Sequence, residues 1–250
     1  MKAIFVTGTA GCGKSLLTSR LLRWYTDNDA YPISLNLDPG VGALPYEPDV
    51  DIRDFVDIDT ISETYGLGPN GSLVMANDMI ATRLDEVQLA VDQQNADYVV
   101  IDTPGQIELF AFRQSGPVIA SNLRAEDKAS IFVFDGALVS SPVNFVSISL
   151  LSASVALRLK TASLDVLSKT DLISERLADI LEWASSSSAL EEALSKERET
   201  EYSYLSAKLA RALSGAGLAP GLIPVSGVTL GGLVELGAAL ARALNQGEDG

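Results

Sequence analysis

The chain of 250 residues contains no histidine. That removes histidine-based nucleophile triads and most zinc sites from consideration. It has one cysteine, Cys12, so no internal disulfide can form, which suits a cytoplasmic protein. Basic residues are scarce: 18 Lys and Arg stand against 33 Asp and Glu, a formal charge of −15. A free-standing nucleic-acid binder carries a basic patch, and this net field would repel a polyanion, so direct nucleic-acid contact is not expected. Long apolar runs are also missing. The opening stretch, Met1 to Gly8, is too short and too early for a signal peptide. The longest later run, Val146 to Leu157, covers about twelve residues where a membrane span needs about twenty, so no membrane association is expected.

What is present fits one globular α/β domain over residues 1–250, with 47% hydrophobic residues to build its core. Short β-branched runs predict strands over Lys2–Thr7, Pro32–Leu37, Tyr98–Ile101, Ile131–Phe134, Leu164–Leu167 and Leu222–Val225. Helical spacing predicts helices over Lys14–Thr26, Ser72–Gln94, Ile107–Asn122, Ser141–Lys160, Ser174–Ala184, Leu190–Leu213 and Leu230–Leu244. Strands alternating with helices imply a three-layer fold, a mostly parallel sheet with helices on both faces. The serine run Ser185–Ser188 reads as a surface loop, and the polar end, Asn245–Gly250, as frayed.

Three segments carry chemistry. The first, Gly8-Thr-Ala-Gly11-Cys12-Gly13-Lys14-Ser15, fits the phosphate-loop pattern and sits between a predicted strand and helix. Its glycines let successive N–H groups, through Leu16, curl around phosphate oxygens. Lys14 brings a charge to the β- and γ-phosphates, and the Ser15 hydroxyl can ligate Mg²⁺. Cys12 fits as a small loop filler, although a helix N-terminus can also activate a thiol. The second, Asp102-Thr-Pro-Gly105-Gln106, follows a strand. Asp102 is placed to hold Mg²⁺ through water, and Gly105 to offer its N–H to a γ-phosphate.

The third, Ser168-Lys169-Thr170-Asp171, is similar to the Asn-Lys-x-Asp pattern of GTPases. A carboxylate at Asp171 can accept from the ring N–H and the exocyclic amine of guanine, a donor pair that adenine lacks. The Lys169 stem can lie along the base. Ser168 stands where the pattern has Asn, which is expected to weaken the tether between this turn and the phosphate loop. Ser226, after the last predicted strand, is a weaker counterpart of the GTPase segment that contacts the guanine oxygen.

One further segment is not shared by GTPases at large. Gly68-Pro69-Asn70-Gly71 lies in an insert at about 39–96, after Asn36-Leu-Asp38-Pro-Gly40 and Leu44-Pro-Tyr46-Glu-Pro48, and before Asp102-Thr-Pro-Gly-Gln106-Ile-Glu108. With these segments in order, the chain resembles the GPN-loop GTPases, from Lys2 to about Gly232. The resemblance implies a P-loop NTPase fold, Mg²⁺-dependent hydrolysis of GTP to GDP, and a homodimer in which each Asn70 reaches the partner's phosphates. It leaves Asp38, Gln106 and Glu108 as candidates to orient the attacking water. Asp38 could equally hold the metal, and Glu108 could equally be a first-turn helix residue. Protein clients are the implied partners. A helical insert at about 174–213 could meet them or could simply be core.

Other classes fit less well. A partition-type ATPase would carry a second lysine where Thr9 stands. A small-molecule kinase would gather basic lid residues over the phosphates, and the insert holds Arg53 and Arg83 without a cluster. A nucleotide-gated binding module with little hydrolysis shades into the main reading.

Overall fold

The computed structural model describes residues 1–196 and 201–245. Seven strands form one sheet: β1 (Lys2–Gly8), β2 (Pro32–Asn36), β3 (Val50–Asp51), β4 (Tyr98–Asp102), β5 (Lys128–Asp135), β6 (Ala162–Ser168) and β7 (Ile223–Pro224). Their order is β3-β2-β4-β1-β5-β6-β7, and every pairing is parallel. All strand C-termini therefore lie along one edge, the edge where ligands bind in open α/β sheets.

Eleven helices are described: α1 (Lys14–Asp27), α2 (Ile58–Tyr65), α3 (Pro69–Thr82), α4 (Leu84–Gln93), α5 (Ile107–Phe110), α6 (Ser115–Asn122), α7 (Pro142–Leu159), α8 (Leu177–Ser185), α9 (Ser187–Lys196), α10 (Glu201–Gly215) and α11 (Leu233–Asn245). The strands are near-continuous apolar runs because both faces are covered. Leu17 and Leu21 of α1 and Leu236 and Leu240 of α11 pack on one face with Ile4, Val6 and Val133. The other helices pack on the opposite face, where Phe5, Phe132 and Phe134 meet Ile80, Phe110 and Phe145. The expected three-layer arrangement is the one observed. By length and composition α7 could cross a membrane. Its Phe145, Val146, Val155 and Leu159 are instead buried in the core, and its Ser149 hydroxyl donates to the carbonyl of Phe145.

Some predicted elements differ. The helix expected over Ser72–Gln94 is two helices that bend at Arg83. There the Thr82 hydroxyl donates back to the Met79 carbonyl, a local bond that competes with the helical ladder. The helix expected over Ile107–Asn122 is also split. Gly116 packs so closely on the Phe110 carbonyl that a Cβ would lie 2.3 Å from its oxygen, a fold-back that a continuous helix cannot make. Within Ser185–Ser188 only Ser186 stands between helices, and its hydroxyl accepts from the Ala189 N–H as a cap for α9 rather than forming a loop. Residues 197–200, within the helix expected over Leu190–Leu213, and residues 246–250, within the end expected to fray, lie outside the described residues.

Candidate functional site

The phosphate loop leaves β1 at the middle of the sheet and enters α1. Gly8, Gly11 and Gly13 all take positive φ, and at Gly8 a Cβ would lie 2.8 Å from both Cys12 Sγ and the Val133 carbonyl oxygen. Only glycine fits there. The Lys14 ammonium is buried and donates to the carbonyls of Gly8 and Thr9, so it is held over the loop. Ser15 and Leu16 follow in the first turn of α1. Cys12 is fully buried. Burial pushes its thiol up, against the pull of Lys14, which suits a small loop filler.

Asp102 ends β4, beside β1, and is 2% exposed. Burial pushes its carboxyl up, and the hydroxyls of Ser15 and Tyr46 and the charge of Lys14 oppose that shift. Tyr46 donates to Oδ2 at 3.0 Å, while Oδ1 is buried with no hydrogen-bond partner. An orphaned carboxylate oxygen next to a serine hydroxyl suits a hard cation or its bound water. Among the described residues no three acidic or thiol side chains cluster to hold a metal by themselves. A cation here would need oxygens from phosphate and water as well, as Mg²⁺ commonly takes.

The Thr103 hydroxyl pins the next turn to the Val6 carbonyl. Gly105 N–H then donates to Asp38 Oδ2 at 3.0 Å, while Asp38 Oδ1 accepts from Gly40 N–H. The structure thus brings Asp38, Asp102 and Gly105 together at the phosphate loop. Gln106 and Glu108 are exposed at the start of α5. Asn70 is exposed as well. Gly68-Pro69-Asn70-Gly71 is not a free turn: Gly68 caps α3 and Pro69 opens it, where its missing N–H costs nothing. Leu73, one turn on, packs against Gly40.

At the base end, a cavity of about 230 Å³ is lined by Gly13, Leu16, Val166, Lys169, Asp171 and Val228. Lys169 adopts positive φ and pairs with Asp135 at 2.7 Å. The Ser226 hydroxyl donates to Asp171 Oδ1 at 2.6 Å, so Ser226 meets the base pocket through its side chain. Arg20 of α1 donates to the Gly227 carbonyl and steadies that turn. The expectation about Ser168 is corrected. Its hydroxyl reaches the Cys12 carbonyl at 2.7 Å, so the tether to the phosphate loop is kept by the shorter side chain.

Sequence reasoning missed two contributors. Tyr46 was visible only as part of a segment, and nothing in its spacing pointed to Asp102, 56 positions away. Arg53 was weighed only as a possible lid residue. It instead chelates Asp51, which also accepts from Asn36, and donates to the Val41 carbonyl, fixing the ends of the chain around Asp38.

Fold and site together define a P-loop nucleotide-binding protein. Residues 6–246 match the family described as "Conserved hypothetical ATP binding protein". The chain is 37% identical to the GPN-loop GTPase PAB0955 of Pyrococcus abyssi over 179 residues, 70% of this chain and 69% of that one. It is 32% identical to GPN-loop GTPase 1 of Dictyostelium discoideum (78% of this chain, 49% of the relative) and 33% identical to GPN-loop GTPase QQT2 of Arabidopsis thaliana (84% and 54%). It thus spans about half the length of those two relatives. The crystal structure of the Pyrococcus abyssi GTPase in apo form superposes with a TM-score of 0.84 and 28% identity over 98% of both chains. The chain belongs to the GPN-loop GTPase family.

Proposed function

We propose that this protein binds GTP with Mg²⁺ and hydrolyses it to GDP and phosphate, as a homodimer whose Gly-Pro-Asn segments complete one another's sites. The observation that carries the reading is the base pocket: Asp171, held by Ser226, stands beside a phosphate loop to which Ser168 is tied. A carboxylate there rewards the paired donors of guanine and would be left unpaired by adenine. This favours GTP over the ATP of the family description.

In this reading the loop N–H groups cradle the phosphates, and Lys14 exchanges two carbonyl partners for phosphate oxygens. Ser15 and Asp102 would hold Mg²⁺, which when bound neutralises charge developing on the phosphates. Asp38, Gln106 and Glu108 are the residues that could orient water for in-line attack, Asp38 also being able to serve the metal. Asn70 would donate its amide to the γ-phosphate of the partner protomer, and its exposure in the single chain leaves it available for that. Because Gly105 and Asn70 would both read the γ-phosphate, hydrolysis would change how two protomers meet. A switch or assembly-factor role toward protein clients follows, with α8, α9 and α10 as a candidate client surface.

Mixing two inactive variants tests the reading. Lys14→Ala loses phosphate binding in its own site, and Asn70→Ala loses the contribution to the partner's site. Random pairing should restore roughly a quarter of the wild-type site activity, because half the dimers are mixed and each carries one intact site. No recovery on mixing, with dimers confirmed by scattering, would rule out Asn70 acting across the interface. Cleavage of ATP as fast as GTP would rule out Asp171 as the base reader.

A further inference from the structure

We propose that Tyr46 is a positioning residue for the metal-side carboxylate: its hydroxyl holds Asp102 by Oδ2, leaving Oδ1 to meet the cation or its bound water. The proposal rests on the reading of Asp102 as the carboxylate that serves Mg²⁺.

The Tyr46 hydroxyl lies 3.0 Å from Asp102 Oδ2, and Oδ1 of the same buried carboxylate has no partner. An aspartate's terminal torsion is broad, so a carboxylate fixed at one oxygen has a defined second oxygen, and one fixed at neither does not.

The segment that delivers Tyr46 is anchored at both ends. Asp38 N–H donates to Asn36 Oδ1 at the start. At the far end Asp49 accepts from the Ser34 N–H and hydroxyl. Between them the chain is held by side chains: Arg53 donates to the Val41 carbonyl, and Ser19 reaches the Pro45 carbonyl at 3.4 Å. Tyr46 is therefore held where it meets Asp102, as Asp38 at the start of the strap meets Gly105.

The chemistry of a phenol suits the task. A phenol hydroxyl is a neutral donor, and here it reaches Asp102 Oδ2 from a part-buried position. A lysine at this position would compete with the cation for the carboxylate, and a phenylalanine would leave Oδ2 without its phenol donor. Metal sites are commonly tuned in this way by hydrogen bonds to their ligands.

The test is Mg²⁺-dependent retention of a fluorescent GDP analogue, measured as a dissociation rate across an Mg²⁺ titration for wild type, Tyr46→Phe and Asp102→Asn. Tyr46→Phe keeps the ring, and its urea midpoint checks that the fold is intact. The expected result is a half-saturating Mg²⁺ concentration raised about tenfold in Tyr46→Phe. Retention in excess chelator should be unchanged, and retention at saturating Mg²⁺ restored. Equal loss with and without Mg²⁺ would mean that Tyr46 only packs the strap, and would overturn the proposal. An unchanged Mg²⁺ midpoint in Tyr46→Phe, with Asp102→Asn insensitive to Mg²⁺, would overturn it while leaving Asp102 in its role. A normal Mg²⁺ response in Asp102→Asn would overturn both.

Discussion

The Ser168 hydroxyl lies 2.7 Å from the carbonyl oxygen of Cys12 and 3.0 Å from that of Phe134. One buried proton is thus shared between the phosphate loop and the end of β5, joining the base end of the site to the phosphate end. Ser168→Ala would leave both carbonyls without this donor. Guanine nucleotide affinity should fall about tenfold, roughly 1–1.5 kcal/mol. Pyrophosphate affinity should fall less. Calorimetric titration with both ligands distinguishes the two, and an unchanged GDP affinity would show that the tether contributes nothing to binding.

Asp38 occupies the Gly105 N–H that the proposed function assigns to a γ-phosphate. Removing the carboxylate should therefore help a triphosphate more than a diphosphate. Asp38→Ala is expected to raise the affinity for a non-hydrolysable GTP analogue relative to GDP by about fivefold, the worth of one hydrogen bond. Competition binding reads the ratio directly. A ratio equal to wild type would mean that the contact does not oppose the γ-phosphate.

Asp171 offers acceptors only, so Asp171→Asn would set donors against the guanine N–H groups. GTP affinity should drop about a hundredfold or more, given that hydrogen bonds to charged groups are worth about 1.5–3 kcal/mol each. Xanthosine triphosphate, with a carbonyl where guanine has its amine, should gain. Paired competition assays with the two nucleotides check this, and retained preference for GTP would place base reading elsewhere.

Asp51 gives the pH dependence. Burial pushes its carboxyl up, but hydrogen bonds from Arg53 and Asn36 outweigh that and hold it below the ordinary 3.8. A lowered folded value means stability that is present above the unfolded value and lost as pH falls through the folded one. Thermal unfolding midpoints of the wild type should therefore fall as pH drops below about 4. The loss should be shallower in Asp51→Asn, which starts less stable at neutral pH. Parallel curves would show that the Arg53 pair carries no linked stability.

The parallel sheet was legible because buried runs such as Lys2–Gly8 and Tyr98–Asp102 read as strands without ambiguity, each followed by a glycine-rich or acidic turn. β3 was not, since two residues at a sheet edge leave no periodic signal. Helix breaks at Arg83 and before Gly116 were hidden for a related reason: both halves keep their apolar spacing, and the breaks lie in short-range contacts, Thr82 to Met79 and Gly116 to Phe110, that periodicity does not register. At the site, residues that use the backbone or a fixed motif, such as Gly8, Lys14 and Asp102, announced themselves by spacing. Tyr46 and Arg20 act through tertiary contacts with no local signature, and Arg53 joins a local pair with Asp51 to a bond with the Val41 carbonyl. Ser168 was judged by comparison with asparagine, and only the distance to Cys12 shows that a shorter side chain reaches.

The two ends of the site rest on unequal foundations. The phosphate loop springs from β1, which is paired on both sides along most of its length. The Ser226 turn hangs from β7, an edge strand of two residues that aligns only Val166 with Ile223 and Leu167 with Pro224, and Pro224 has no N–H to give. Beyond its own backbone bonds, such as Ser226 N–H to the Gly231 carbonyl, it is tied to the rest of the site by Arg20 to the Gly227 carbonyl and by Ser226 to Asp171. In the proposed binding mode the base would rest on this edge of the sheet and the phosphates on its paired centre, so the base is the end expected to loosen first.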